Sequence, residues 1–233
     1  SKIIKEKVLG KNNPMYLEAC NSLAILYKNM VQYEKAESQF LDIMQIQEKY
    51  IGKDNPKYAK YCNNLGVLYK EMGQYPKAEK LLIAAKNTRK KYLEKNPADY
   101  SSSCLNLANL YKEMNEPGKV KELYLEAINI DEANGGPTSL DYATSCIGLA
   151  AYFMDLDEFE NAEQLYLRAL AIQEKKLGIK HPSYASTCSG LAVVNEKMEN
   201  NKKALSYYTK AKEIWQETLG DLHPYYGLSC ANL

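Results

Sequence analysis

Arginine is almost missing from this chain: Arg89 and Arg168 are the only two in 233 residues. Histidine is as scarce (His181 and His223), and Trp215 is the sole tryptophan. Excess charge of one sign is missing too, since 30 basic and 29 acidic side chains leave a net charge of +1. Without a clustered surplus of Lys and Arg there is no footprint of a nucleic-acid surface. No apolar run approaches the ~18 residues of a membrane span and no signal-peptide pattern opens the chain, so a soluble cytoplasmic protein is expected. Two histidines without a nearby carboxylate cluster make neither a catalytic triad nor a metal site. No strand-type alternation is found.

What the chain has is a period. Cys20, Cys62, Cys104, Cys146, Cys188 and Cys230 are each 42 residues apart, as are Tyr16, Tyr58, Tyr100, Tyr142, Tyr184 and Tyr226. Leu23, Leu65, Leu107, Leu149, Leu191 and Leu233 form a third series. Small residues recur at Ala24, Gly66, Ala108, Ala150 and Ala192, and again at Ala85, Ala127, Ala169 and Ala211. A disulfide framework has no reason to keep such a beat, whereas a structural repeat does. The cysteines therefore read as small buried filler. Neighbouring helices about 8–10 Å apart would hold equivalent thiols beyond the ~7 Å between α-carbons that a disulfide tolerates.

Within a repeat the spacing is helical. Cys62, Leu65, Gly66 and Tyr69 fall at i, i+3, i+4 and i+7, one face of a first helix. Ala78, Leu82 and Ala85 mark the buried side of a second, and Met72-Gly73-Gln74-Tyr75 is the short turn between them. Pro14, Pro56, Pro182 and Pro224 suit the first helical turn, where a missing N–H is harmless. Gly52, Gly136, Gly178 and Gly220 suit the end of the second helix, where a left-handed residue is usual. The extra length over a common repeat of about 34 residues is expected in the second helix and its loop.

The pattern N-L-G-x-x-Y-x-x-x-G-x-Y-x-x-A-x-x-x-L-x-x-A, from Asn64 to Ala85, resembles the tetratricopeptide repeat. The 42-residue length, the openings H-P-S-Y-A (His181 to Ala185) and N-P-K-Y-A (Asn55 to Ala59), and the closing Leu177-Gly178 and Leu219-Gly220 are similar to kinesin light chain-type arrays. The resemblance implies an all-α, right-handed α-solenoid of tandem helix-turn-helix repeats, one array over residues 1–233. Residues 1–12 would be the tail of a preceding repeat; 13–54, 55–96, 97–138, 139–180 and 181–222 five full repeats; and 223–233 the start of a sixth. Neither end shows a polar capping helix, so a piece of a longer protein is expected.

No constellation for catalysis, metal or cofactor emerges. Gly135-Gly136-Pro137 lacks the strand–loop–helix setting of a phosphate cradle. Asp155, Asp157 and Glu158 read as a solvated turn, and Trp215, whose counterparts are Arg89, Asp131 and Gln173, as packing. The expected function is a non-catalytic interaction scaffold, holding a peptide or partner protein in a concave groove of first helices. Carried over from the resemblance, the partner-binding residues are Asn21, Lys28, Asn63, Asn64, Lys70, Asn106, Asn109 and Lys112. Lys28, Lys70 and Lys112 would form an ammonium ladder for an acidic–apolar peptide, although pairing with Glu71 and Glu113 is the alternative. Asn64 and Asn106 suit an extended main chain. Gly148, Ala151, Met154 and Gly190 would open a pocket for an apolar anchor. Two other readings remain: a sensor or autoinhibitory region of a larger enzyme, and an architectural cytoskeletal or ciliary component.

Overall fold

The computed structural model describes residues 12–220 and Gly227; the expectations placed on Ile3–Gly10, Cys230, His223, Pro224 and Leu233 lie outside them. Among the described residues every regular element is a helix. They are α1 (Pro14–Asn29), α2 (Tyr33–Tyr50), α3 (Pro56–Glu71), α4 (Tyr75–Lys90), α5 (Pro97–Glu113), α6 (Pro117–Gly135), α7 (Leu140–Asp155), α8 (Phe159–Leu177), α9 (Pro182–Lys197) and α10 (Asn201–Leu219). They pack as sequential pairs and fall into two compact units, one ending at Glu116 and one beginning at Pro117. In the N-terminal unit α1 pairs with α2 and α3 with α4, while α2 packs on α3 and α4 on α5. The C-terminal unit repeats the scheme with α7–α8 and α9–α10 as hairpins, α6 against α7, and α8 against α9.

Local chemistry sets the helix ends. Asn13 and Asn55 accept the backbone N–H of Met15 and Lys57 through their side-chain oxygens, at 2.9 and 2.8 Å, and Ser139 accepts that of Tyr142 at 3.1 Å. Each satisfies one of the orphan donors of a helix N-terminus. The turn that follows each first helix needs one left-handed residue, at Val31 (φ 58), Gly73 (φ 71), Asn115 (φ 57), Asp157 (φ 57) and Glu199 (φ 61), again 42 apart. It is closed each time by a six-residue backbone bond such as Gln74 N–H to Tyr69 O, 2.8 Å. Only the second repeat spends a glycine there. Val31, a β-branched residue, sits in a conformation that costs an L-residue roughly 1–2 kcal/mol. Gly52, Gly136, Gly178 and Gly220 all have φ between 77 and 90, as expected for the ends of second helices.

The core follows the period. Ala24, Ala108, Ala150 and Ala192 are fully buried, as are Ala85, Ala127, Ala169 and Ala211, so helices approach closely where these residues meet. Around them pack Leu65, Leu82, Leu191 and the rings of Tyr100 and Tyr124. One buried register is polar in four successive repeats, at Gln47, Arg89, Asp131 and Gln173, and holds Trp215 in the next. Arg89 donates from Nη1 to Asp99 O at 2.9 Å and to Ser103 Oγ at 2.7 Å. Burial holds its guanidinium below the ordinary value, with Asp99 opposing that shift. Asp131 accepts from Ser145 Oγ at 2.5 Å, the same 14-residue reach with the donor on the other side. Trp215 departs from the polar members of its series and is buried.

Candidate functional site

In the N-terminal unit the first helices α1, α3 and α5 bring most of the expected residues into one row, and the row is cross-linked. Asn64 donates from Nδ2 to Asn21 Oδ1 at 2.9 Å, and Asn106 to Asn63 Oδ1 at 3.0 Å. Asn21 and Asn63 are buried by these contacts, whereas Asn64 and Asn106 stay half-buried. Each of the latter keeps its own carbonyl oxygen and a second N–H for another partner. Lys28 donates to Glu71 at 2.6 Å and Lys70 to Glu113 at 2.5 Å, so two rungs of the ammonium ladder carry a carboxylate from the next repeat. Asn109 is exposed beside them, and Lys112 is half-buried.

The C-terminal unit uses the equivalent positions differently. A pocket was expected where Gly148 and Gly190 replace the asparagines, and this needs correction. A Cβ on Gly148 would lie 2.6 Å from the Tyr124 ring, and one on Gly190 would lie 2.9 Å from the Tyr166 ring. Tyrosines of the preceding second helices α6 and α8 fill the space the glycines leave. Ala151 and Met154 are half-buried on α7.

A second set of ties was not foreseen in the sequence. Tyr69 and Tyr111 donate their hydroxyls to Glu37 and Glu79, at 2.6 and 2.8 Å, each reaching back 32 residues. Burial, reinforced by the Glu37 bond, pushes the Tyr69 phenol up to about 12. At the same register Phe153 has no hydroxyl, and the glutamate has become Lys121, whose ammonium lies 5.7 Å from the Phe153 ring centroid. In the following repeat Asn195 donates to Glu163 at 3.2 Å. The signal was present as co-variation between positions 32 apart, visible only once that reach is known.

The other chemical candidates resolve into structure. Cys20, Cys62, Cys104, Cys146 and Cys188 are buried thiols, none in a disulfide. Burial pushes Cys62 and Cys146 up to about 11 and Cys188 up to about 12, the opposite of an activated nucleophile. His181 caps α9, its Nδ1 accepting from Ser183 N–H at 3.1 Å. Asp157 occupies the left-handed turn position and Glu158 accepts from Asn161 at 2.7 Å. Among the described residues no three His, Cys, Asp or Glu side chains converge as metal ligands, and no helix is long and apolar enough to cross a membrane.

Stacked helical hairpins with small residues at each crossing define an α-helical repeat protein. The chain matches the tetratricopeptide repeat over residues 16–91, 61–133 and 141–217, and it belongs to that family. None of the curated proteins compared matches it by sequence. Among solved structures it is similar to BtubC (BKLC) from P. vanneervenii, with 20% identity, a TM-score of 0.73, and coverage of 96% of this chain and 90% of that one. A Podosopora anserina kinesin light chain-type protein with nearly identical TPR-like repeats shares 22% identity at a TM-score of 0.67, covering 88% and 98%. A Rap protein complexed with competence and sporulation factor shares 13% identity at a TM-score of 0.76, covering 98% of this chain and 65% of that one. At these identities the likeness is one of fold.

Proposed function

We propose that this chain is a non-catalytic interaction scaffold whose N-terminal unit holds a peptide or partner segment along α1, α3 and α5. The observation that carries the reading is the row of half-buried Asn64, Asn106, Lys28 and Lys70. Its carboxamides keep hydrogen-bonding capacity, and its ammoniums are held in place by exchangeable carboxylates. A peptide carboxylate replaces Glu71 or Glu113 at the lysine, and the asparagines take the peptide main chain. Exchanging one half-exposed ion pair for another changes little energy, so acidic residues steer and apolar neighbours supply affinity. Family membership supports this reading, as does the peptide-bound state of a Rap conjugation regulator in complex with the Phr* peptide.

The test is an acidic–apolar peptide library screened against the chain and against a variant with Lys28, Lys70 and Lys112 all changed to Glu. Selected peptides are expected to lose binding to the variant and to weaken with added salt. Peptides that bind both equally, with the same salt dependence, would sink the proposal. A sensor region within a longer protein is the second reading, favoured by two Rap matches of which this chain spans 55% and 65%.

A further inference from the structure

The loop entering α9 departs from its counterpart three repeats earlier in a chemically specific way. In the N-terminal unit Glu48, near the end of α2, is neutralised by Lys53 of the following loop at 3.0 Å. Asp54 next to it accepts from Lys91 at 2.8 Å. The same register in the C-terminal unit reads Glu174, Ile179, Lys180 and Glu217. Lys180 and Glu217, at 2.9 Å, repeat the Asp54–Lys91 pair with the charges exchanged. Glu174 is the exception. The cation that would face it is replaced by Ile179, which is 54% exposed.

A cleft of about 340 Å³ opens at this place, with Ile179, Ile214 and Tyr184 as its apolar surface. Glu174, Glu213 and Glu217 line it against Lys180 and Lys210, so one carboxylate is in excess even when both lysines are counted. No ion pair engages Glu174 or Glu213 among the described residues. A volume near 300 Å³ is at the small end of ligand pockets, enough for one long side chain and its neighbours.

We propose that this cleft docks a cationic side chain, Lys or Arg, carried by a partner peptide between apolar residues. The incoming ammonium takes the place that Lys53 fills beside Glu48, and the flanking apolar groups lie on Ile179 and Ile214. The ion pair sets the sign of the ligand, and the covered apolar surface supplies most of the affinity. The cleft belongs to the C-terminal unit and shares no residue with the row proposed above, so either can fail without the other.

The test is a methyl NMR titration with the capped tripeptide acetyl-Ile-Lys-Ile-amide, using acetyl-Ile-Glu-Ile-amide as the control. Saturable shifts of the Ile179 and Ile214 methyls are expected with the lysine peptide only. Glu174→Gln should weaken binding roughly fivefold, the scale of one exposed ion pair. Ile179→Lys restores the pairing seen at Glu48 and should abolish binding while the melting temperature holds. Glu174→Gln alone decides the matter if Ile179→Lys perturbs folding. Absent shifts, equal binding of the glutamate peptide, or full affinity in Glu174→Gln would overturn the proposal.

Discussion

In the unit ending at Glu116, successive first helices are stitched by polar side chains, Asn64 to Asn21, Asn106 to Asn63, Lys28 to Glu71 and Lys70 to Glu113. In the unit beginning at Pro117 the same positions hold Gly148, Gly190 and Met154, and rings from the second helices press into the glycines. Leu82 stands where Tyr124 stands, and Asn106 where Gly148 stands. Asn106 with Leu82 puts volume on the first helix, and Gly148 with Tyr124 puts it on the second. What a repeat conserves is the filled space, because interiors tolerate swaps that keep total volume far better than voids or overlaps.

The largest effect that probes both solutions is alkaline unfolding. Burial holds Cys62 and Cys146 at about 11 and Cys188 at about 12, above the ordinary 9.0 of a thiol. Below pH 9 folded and unfolded chains both keep these protons and stability is whole. As pH rises through 9 towards 12, the unfolded chain releases protons that the folded one retains, so stability falls. Melting temperatures measured from pH 7 to 12 should be level and then drop; a level curve throughout would mean the thiols are not sealed in either unit.

Next in size, Gly148→Leu drives a side chain into the Tyr124 ring and should cost about 3 kcal/mol in urea unfolding. Asn64→Leu, at the same register in the other unit, should cost only about 1 kcal/mol, the value of its hydrogen bond. Adding Tyr124→Leu to Gly148→Asn installs the arrangement of the first unit and should recover most of the loss. Equal costs of leucine at Gly148 and at Asn64 would erase the distinction between the units.

Val31→Gly should stabilise by about 1 kcal/mol, because Val31 is 66% exposed and loses strain without losing packing. The gain is read as a shift of the denaturation midpoint with unchanged slope. A smaller effect sharpens the comparison most. Lys121→Glu with Phe153→Tyr converts the cation–π contact into the glutamate–tyrosine bond of the other unit. A double-mutant cycle should show coupling of about 0.5–1 kcal/mol. Smallest of all, Lys70→Gln should change stability by less than about 1 kcal/mol, as expected of a partly exposed ion pair.

Much of this was legible beforehand because it is local. Asn13 and Asn55 cap the helices that Pro14 and Pro56 open and the end glycines adopt left-handed backbone, from rules acting within a few residues, while the 42-residue period marks the burial of Cys20, Cys62, Cys104, Cys146 and Cys188. The partners of polar groups were harder. Glu37 reaches Tyr69 across 32 residues and Asn21 reaches Asn64 across 43, and neither distance is written in a helical wheel. Gly148 was misjudged for the same reason: one helix seen alone shows a gap, and the ring that fills it sits 24 residues earlier.

The sequence by itself determined a 42-residue beat of paired helices, their ends, and the burial of the small residues and thiols, because periodicity encodes backbone geometry and burial directly. Only the tertiary structure decided which gaps are filled and which charges are already answered: Tyr124 in front of Gly148, Glu71 on Lys28, and Lys53 on Glu48 where Ile179 stands beside Glu174. Those outcomes depend on side chains contributed by a neighbouring element, and the volume and charge at a contact belong to both partners at once.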